Sequence, residues 1–418
     1  MVKIEHTNTK WKIATESSSH AKVFLKESSC PENDNINSLV PWRVTNDDTT
    51  RSVLVHIPQE LCTNLLAWQD APKDKHPLRI LLAIHGYGGQ PRQEIKKWLK
   101  TAIALQTIII APQGTLTESN GRLGWNAIDC CGDPVTNKID DVGFLHGLLD
   151  SVLDTLSLAM NDNAIIEDAH VIATGFSNGG FMSSLLGLQT ERHPNLVGII
   201  PTGGYQYNLE LYDNNNLQSE ALPMMAHHGG KDGVLLPDGC CNSGSSESNC
   251  ELDIGINEQS CTSVQTAFEK WSQINRCKST YVDDASRVGG RSERQLVEDV
   301  APHTCWRGND CLAPTELCIW TNEGHIWGAV FPGVDLAQSW MEKVYIDAET
   351  KSNLVPIPES GEGGGENTMY NDTQTSLLIA TLFIFCCMVV RFMVLRYRSR
   401  FGYVKRKNSE DHGSVQMV

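Results

Sequence analysis

AHVIATGFSNGGFMSSLLGLQT, residues 169–190, decides how this chain folds. Ala169 to Thr174 is a β-branched apolar run, Gly175-Phe176-Ser177-Asn178-Gly179-Gly180 turns the chain, and the residues from Phe181 to Thr190 suit a helix. Strand, glycine turn and helix make the building unit of an α/β sheet. A serine flanked by glycines at such a turn has the GxSxG form of a nucleophile elbow, where small neighbours permit the strained backbone that lifts Oγ above the sheet edge. Chance alone places a bare GxSxG in roughly one chain in five of this size, so the strand before and the helix after carry the weight. Ser177 at a helix N-terminus also gains the macrodipole field, which favours a developing oxyanion. The competing reading is an ordinary turn with glycines at crowded positions.

Further strands follow outward from this unit: SVLVHIP (52–58), LRILLAIHG (78–86), TIIIAPQG (107–114), VGIIPTGG (197–204), LPMMAHHGG (222–230) and ELCIWTNEG (316–324). Continuous apolar strands imply a sheet covered on both faces. DDVGFLHGLLDSVLDTLSL (140–158) spaces Val142, Leu145, Leu149, Val152, Leu153 and Leu156 for one buried face, with Asp140 or Asp141 as N-cap, and so predicts a crossover helix. SVQTAFEKWSQIN (263–275) predicts another. Short β-α-β connections give a mostly parallel, doubly wound sheet of the α/β hydrolase type.

Lys+Arg 34 against Asp+Glu 50 sets the net charge at −16, and the residues from Arg391 onward are basic, so the rest is more acidic still. That argues against nucleic-acid binding through a basic face. The charge break coincides with SLLIATLFIFCCMVVRFMVL (376–395), apolar except for Arg391 and, at 1.5 Å per residue, about one hydrocarbon thickness as a helix. The expected plan is a polar segment at 1–40, one hydrolase domain at 41–350, a Gly/Pro/Glu-rich stalk at 351–375, a membrane helix at 376–395 and a basic cytosolic tail at 396–418. The positive-inside rule makes this a single-pass type I protein with the domain extracellular or lumenal. MVKIEHTNTKWKIATESSSH carries no apolar signal core, so the reading needs a leader outside this sequence; a tail anchor with a cytosolic domain is the alternative. Of 14 Cys, 12 precede the apolar segment, an even number, many in polar loops. Disulfides explain them better than zinc, since no paired CxxC units occur and Cys130-Cys131 and Cys240-Cys241 are vicinal; the pairing stays open.

The chain order Ser, acid, His limits the partners of Ser177. Among His193, His227, His228, His303, His325 and His412, only His325 follows a terminal strand, with Gly324 to turn the loop back; His303 reads as part of a Cys-bounded loop. Among Asp213, Asp232, Asp238, Asp253, Asp283, Asp284, Asp299 and Asp310, Asp232 directly follows the strand LPMMAHHGG, a position from which a carboxylate can orient imidazole Nδ1. The oxyanion donors expected are the amide of Asn178 and that of Gly86 or Tyr87, in the HGYGG turn (85–89) that ends another strand.

Together LLAIHGYGG, Trp125-Asn126, Cys130-Cys131-Gly132, DDVGFLHGLLD, VIATGFSNGGFM, HHGGKDGV, KWSQINRC and NEGHIW resemble the polyhydroxybutyrate depolymerase and feruloyl esterase family of serine esterases, over about residues 50–343. The resemblance implies an α/β hydrolase with Ser177, Asp232 and His325 as its triad. Its implied substrates are hydroxycinnamoyl or acetyl esters of polysaccharide, or hydroxyalkanoate esters. Three features depart from that family: His325-Ile326-Trp327 runs into GAVFPG rather than a compact HxWPG, Asp238 to Cys261 forms a Cys-rich insertion, and a membrane anchor is atypical. Trp125 and Trp327 are candidates to stack on an aromatic acyl group or a sugar, against a packing role. Triad and amides suffice for ester hydrolysis, so no metal or organic cofactor is expected. A serine peptidase and a non-catalytic binding ectodomain on a hydrolase scaffold are the other readings.

Overall fold

The computed structural model describes residues 18–45, 49–67, 77–161, 168–215, 220–239, 262–284, 303–327 and 333–353. Its strands in chain order are β1 (Trp42–Thr45), β2 (Thr50–His56), β3 (Arg79–Ile84), β4 (Ile108–Pro112), β5 (Thr115–Leu116), β6 (Leu123–Gly124), β7 (His170–Phe176), β8 (Leu196–Thr202), β9 (Met224–Gly229), β10 (Ser279–Asp284), β11 (His303–Asn309) and β12 (Thr315–Trp320). Ten of them form one sheet in the order β1-β2-β4-β3-β7-β8-β9-β12-β11-β10, while β5 and β6 pair as a separate hairpin. The run from β4 to β12 is parallel.

Burial on both faces explains the continuous apolar strands. Ile80, Leu82 and Ile84 of β3 face the helices Asp141–Met160, Asn178–Gly187 and Val264–Ile274. Leu81 and Ala83 face Pro91–Leu105 and Gly333–Asn353. The alternation has period two, as a pleated strand requires. Winding reverses between β3 and β7, because the chain leaves β3 for β4 on one side and later returns to β7 on the other. The carboxyl ends of those two strands therefore open a crevice, where open α/β sheets bind ligands.

Several expectations need correction. The doubly wound sheet carries antiparallel strands at both edges, β1 and β2 on one side and β11 and β10 on the other. Nothing in the apolar runs announced β1, β10 or β11, which are short or polar and lie at the margins. His303 belongs to β11 and stacks on Trp320 at 4.4 Å. The segment read as a polar lead-in is folded from Ser18 onward: helix Ser18–Ser29 buries Ala21 and Leu25, Ser29 Oγ accepts from Trp42 Nε1 at 2.9 Å, and Cys30 bonds to Cys62. Asp140 is the N-cap of the crossover helix, accepting from Gly143 N at 2.8 Å. Asp141 is buried and pairs with Arg51 Nη1 at 2.5 Å.

Cys130–Cys131, Cys277–Cys311 and Cys305–Cys318 are also bonded, the last joining register partners on β11 and β12. Cys240, Cys241, Cys250 and Cys261, the stalk beyond Asn353, the apolar segment 376–395 and the basic tail lie outside the described residues. Within them, Asp141–Met160 is long and apolar enough to cross a membrane by length and composition, and its burial in the domain core accounts for that character.

Candidate active site

Ser177 sits between the end of β7 and helix Asn178–Gly187 with φ 57° and ψ −121°, a conformation a non-glycine residue adopts only under strain. Neighbouring contacts hold it there. A Cβ on Gly86 would lie 2.9 Å from Phe176 O, and one on Gly179 would meet Ile84 O and His85 O, so the elbow presses directly on the end of β3. Ser177 N donates to Thr202 O at 2.9 Å and Ser177 O accepts from Phe181 N at 3.0 Å, which leaves Oγ to point away from the sheet.

His325 Nε2 lies 3.0 Å from Ser177 Oγ, and His325 Nδ1 lies 2.7 Å from Asp232 Oδ2. The three residues expected to act together are thus brought into one relay from three separate loops. With Asp232 accepting at Nδ1, the neutral imidazole presents its lone pair at Nε2 toward the hydroxyl. Asp232 Oδ1 accepts from Val234 N at 2.9 Å and Leu235 N at 2.8 Å. Burial pushes this carboxyl up, but the His325 hydrogen bond and charge, the Leu235 amide and the His228 charge outweigh it and hold Asp232 below the usual carboxylate range.

His228 is a residue the sequence reading passed over. Its Nε2–H donates to Leu235 O at 2.7 Å, so it anchors the turn whose amides anchor Asp232. Burial lowers its affinity for a proton despite the nearby Asp232.

The direction of the amides expected to serve as oxyanion donors follows from the tautomer of His85. Gly114 N donates to His85 Nε2 at 3.0 Å, so Nδ1 carries the proton and donates to Gly86 O at 2.8 Å. Gly86 O also accepts from Gly89 N at 2.9 Å. A trans peptide points N–H opposite its C=O, so this double hold turns the Tyr87 amide the other way. The Tyr87 N–H has no acceptor among the described residues. Asn178, first residue of its helix, likewise has an amide without an intrahelical acceptor. Burial pushes the His85 imidazole down to about 4, which keeps it neutral and this arrangement intact at ordinary pH.

The Asn178 side chain has a second task. Its Oδ1 accepts from Trp125 N at 2.8 Å, and its Nδ2 donates to Trp125 O at 3.1 Å and Cys130 O at 2.9 Å. Trp125 Nε1 donates to His85 O at 2.9 Å. The expected stacking role of Trp125 is therefore corrected: the ring is wholly buried, spent on packing and on tying the elbow to the HGYGG turn. Trp327 does border the cleft, close to Trp98 and His227. This cleft of about 560 Å³ is walled by Gly86 to Gly89, Phe176, Ser177, His325 and the first two turns of helix Pro91–Leu105. No group of acidic, His or Cys side chains among the described residues is arranged to hold a metal.

No protein-family model matches the chain, and no curated protein matches it in sequence. Solved structures it is similar to include the acetyl xylan esterase from Aspergillus awamori, at 13 % identity and TM-score 0.40 over 70 % of this chain and 93 % of that one. Others are esterase PE8, at 18 % identity and TM-score 0.37 over 64 % and 94 %, and poly(aspartic acid) hydrolase-1 from Sphingomonas sp. KT-1, at 12 % and 0.39 over 72 % and 97 %. The fold does not depend on those likenesses: a mostly parallel sheet with Ser177 after β7, Asp232 after β9 and His325 after β12 has the strand-to-helix elbow and residue order of an α/β hydrolase.

Proposed function

We propose that this domain is a serine carboxylic-ester hydrolase acting through an acyl-enzyme, and the observation that carries the reading is the Ser177–His325–Asp232 relay on a strained elbow. His325 Nε2 takes the Ser177 proton as Oγ attacks the ester carbonyl. The amides of Tyr87 and Asn178 receive the oxyanion, and Asp232 stabilises the imidazolium without taking its proton. As the tetrahedral intermediate collapses, His325 protonates the departing alcohol. Water then enters, gives its proton to His325, attacks the acyl carbonyl and releases the acid as Ser177 is reprotonated.

Hydroxycinnamoyl or acetyl esters of polysaccharide, or hydroxyalkanoate esters, are the substrates we favour, on the strength of the sequence blocks that resemble esterases of that kind. We further propose that residues 376–395 anchor the domain as a type I membrane protein, supported by their apolar length and the basic tail that follows. The deciding experiment measures hydrolysis of p-nitrophenyl acetate, methyl ferulate and a hydroxybutyrate oligomer by the full-length chain in detergent, beside Ser177→Ala. Turnover lost in the variant supports the reading. Equal rates for the two proteins refute it and leave the hydrolase scaffold as a binding module.

A further inference from the structure

Glu94 is a buried charge that the relay does not use. It lies in the first turn of helix Pro91–Leu105, is 2 % exposed, and lines the same cleft as Ser177 and His325. Its Oε1 accepts from Lys97 Nζ at 2.7 Å, while its Oε2 has no partner among the described residues. An i,i+3 pair on a helix ordinarily keeps its spare oxygen in water at little cost. Here burial pushes the Glu94 carboxyl up, and the Lys97 charge and hydrogen bond pull it back only in part. A buried acceptor left unpaired forfeits its hydration with nothing in return. Such a group beside a nucleophile is explained when a guest supplies the missing donor.

Neighbouring groups select the guest. Lys97 already balances the carboxylate, and Lys96 lines the same wall, so an ammonium guest meets two cations. An anion meets Glu94 itself. A neutral hydroxyl satisfies Oε2 without adding charge. That oxygen is shut off from bulk water, so a guest reaches it by displacing a flexible wall side chain, and exposed Lys96 is the one that can move while Lys97 keeps its bond to Glu94.

We propose that Glu94, held by Lys97, is a hydroxyl-binding residue of the cleft, and that this protein selects esters with a free hydroxyl close to the reacting carbonyl. The inference rests on the esterase reading and deepens it. The test compares, in the full-length chain, p-nitrophenyl 3-hydroxybutyrate with p-nitrophenyl butyrate, and glycerol monoacetate with propyl acetate, each pair differing in hydroxyl content. In Glu94→Gln, Lys97 claims the amide oxygen and the NH2 occupies the Oε2 position, so the guest hydroxyl must turn round to accept from it and exchanges a charge-assisted bond for a weaker neutral one.

For the hydroxyl-bearing member of at least one pair, kcat/KM is expected to fall about tenfold or more, mainly through KM, with its partner changed less than twofold. Glu94→Asp, which keeps the charge but withdraws it, is expected to show the same selective loss. The melting temperature of Glu94→Gln should hold or rise, because a buried charge has been replaced by a neutral group of the same shape. Equal losses on both members of both pairs, or a lowered melting temperature without change in preference, overturn the proposal and leave Glu94 a helix-stabilising residue. Failure of Ser177→Ala to abolish turnover is a separate result, which removes the esterase reading itself.

Discussion

Replacing Gly179 by Ala tests whether the elbow and the oxyanion turn form one rigid unit. The added Cβ would clash with Ile84 O and lie 2.8 Å from His85 O, both backbone atoms at the end of β3. Real Cβ contacts of that kind do not exist, so helix Asn178–Gly187 must retreat from β3 by about 1 Å to restore ordinary packing. The retreat separates the two amides proposed to receive the oxyanion, since Asn178 travels with the helix while Tyr87 stays with the strand end. Misplacement of that size costs about 100-fold in kcat, and overpacking costs about 1–3 kcal/mol of stability. Urea denaturation and p-nitrophenyl acetate kinetics read the two effects separately. Gly233→Ala is the comparison, because its Cβ would meet nothing within 4 Å and its φ is not positive; it should stay within about 0.5 kcal/mol of the parent. A Gly179→Ala protein with parental stability and kcat would refute the claim that β3 and the nucleophile helix are locked together.

Asn178→Ala removes the clamp on Trp125 and Cys130 while sparing the Asn178 amide, and should cost about 1–3 kcal/mol in chemical denaturation because Trp125 N is left without its acceptor, while Trp125 O and Cys130 O keep Cys131 N and Ala127 N. Burial lowers His85 to about 4 and His227 to about 3, with a further push on His227 from His303. Both are then neutral when folded but protonated when unfolded below pH about 6.5. Proton uptake on unfolding makes stability fall as pH drops from about 6.5 toward 4, and a melting temperature flat across that window would contradict the assignment. Asp232 acts further down: its folded carboxyl titrates below the unfolded value of about 3.9, so its contribution is present above that pH and is lost as pH falls through the folded value. Asp232→Asn should flatten that lowest limb and cut kcat by about 10⁴-fold, since the amide favours the wrong tautomer of His325. Arg51→Met strands the buried Asp141 carboxylate, which Asn126 N alone would then hold, and should cost about 3–5 kcal/mol by urea titration.

Sequence made the parallel core legible because a strand buried on both faces has no polar alternation to confuse it: LRILLAIHG, TIIIAPQG and AHVIATGFS map onto β3, β4 and β7. Strands β10 and β11 at the sheet margin escaped because they bury little, which leaves them polar, as in STYVDD, where Ser279 to Val282 are exposed. Ser177, Asp232 and His325 were readable from chain order, since each follows a strand end where loops can converge. Side-chain roles fixed by contacts between distant loops were not. Trp125 in a glycine-rich stretch looks the same whether it faces a cleft or supports it, and only its bond to His85 O and its burial decide. Glu94 and Lys97 carry no signal in the sequence, because i,i+3 spacing says nothing about which side of the helix meets the sheet.

The energetics of the site run opposite to its exposure. The atoms expected to touch substrate, Ser177 Oγ, His325 Nε2 and two backbone amides, contribute little to holding their own positions. Their placement is delegated to groups with no route to substrate: His85 sets the Gly86 carbonyl, Trp125 binds His85 O, Asn178 binds Trp125, and His228 secures the turn around Asp232. Each is buried and each is hydrogen-bonded to another part of the site, so an error in one is felt by the next. A strained serine is maintained only when its surroundings over-determine it. That is why a network from four separate segments surrounds one residue at φ 57°, and why disruption should appear first as lost oxyanion geometry and only then as unfolding.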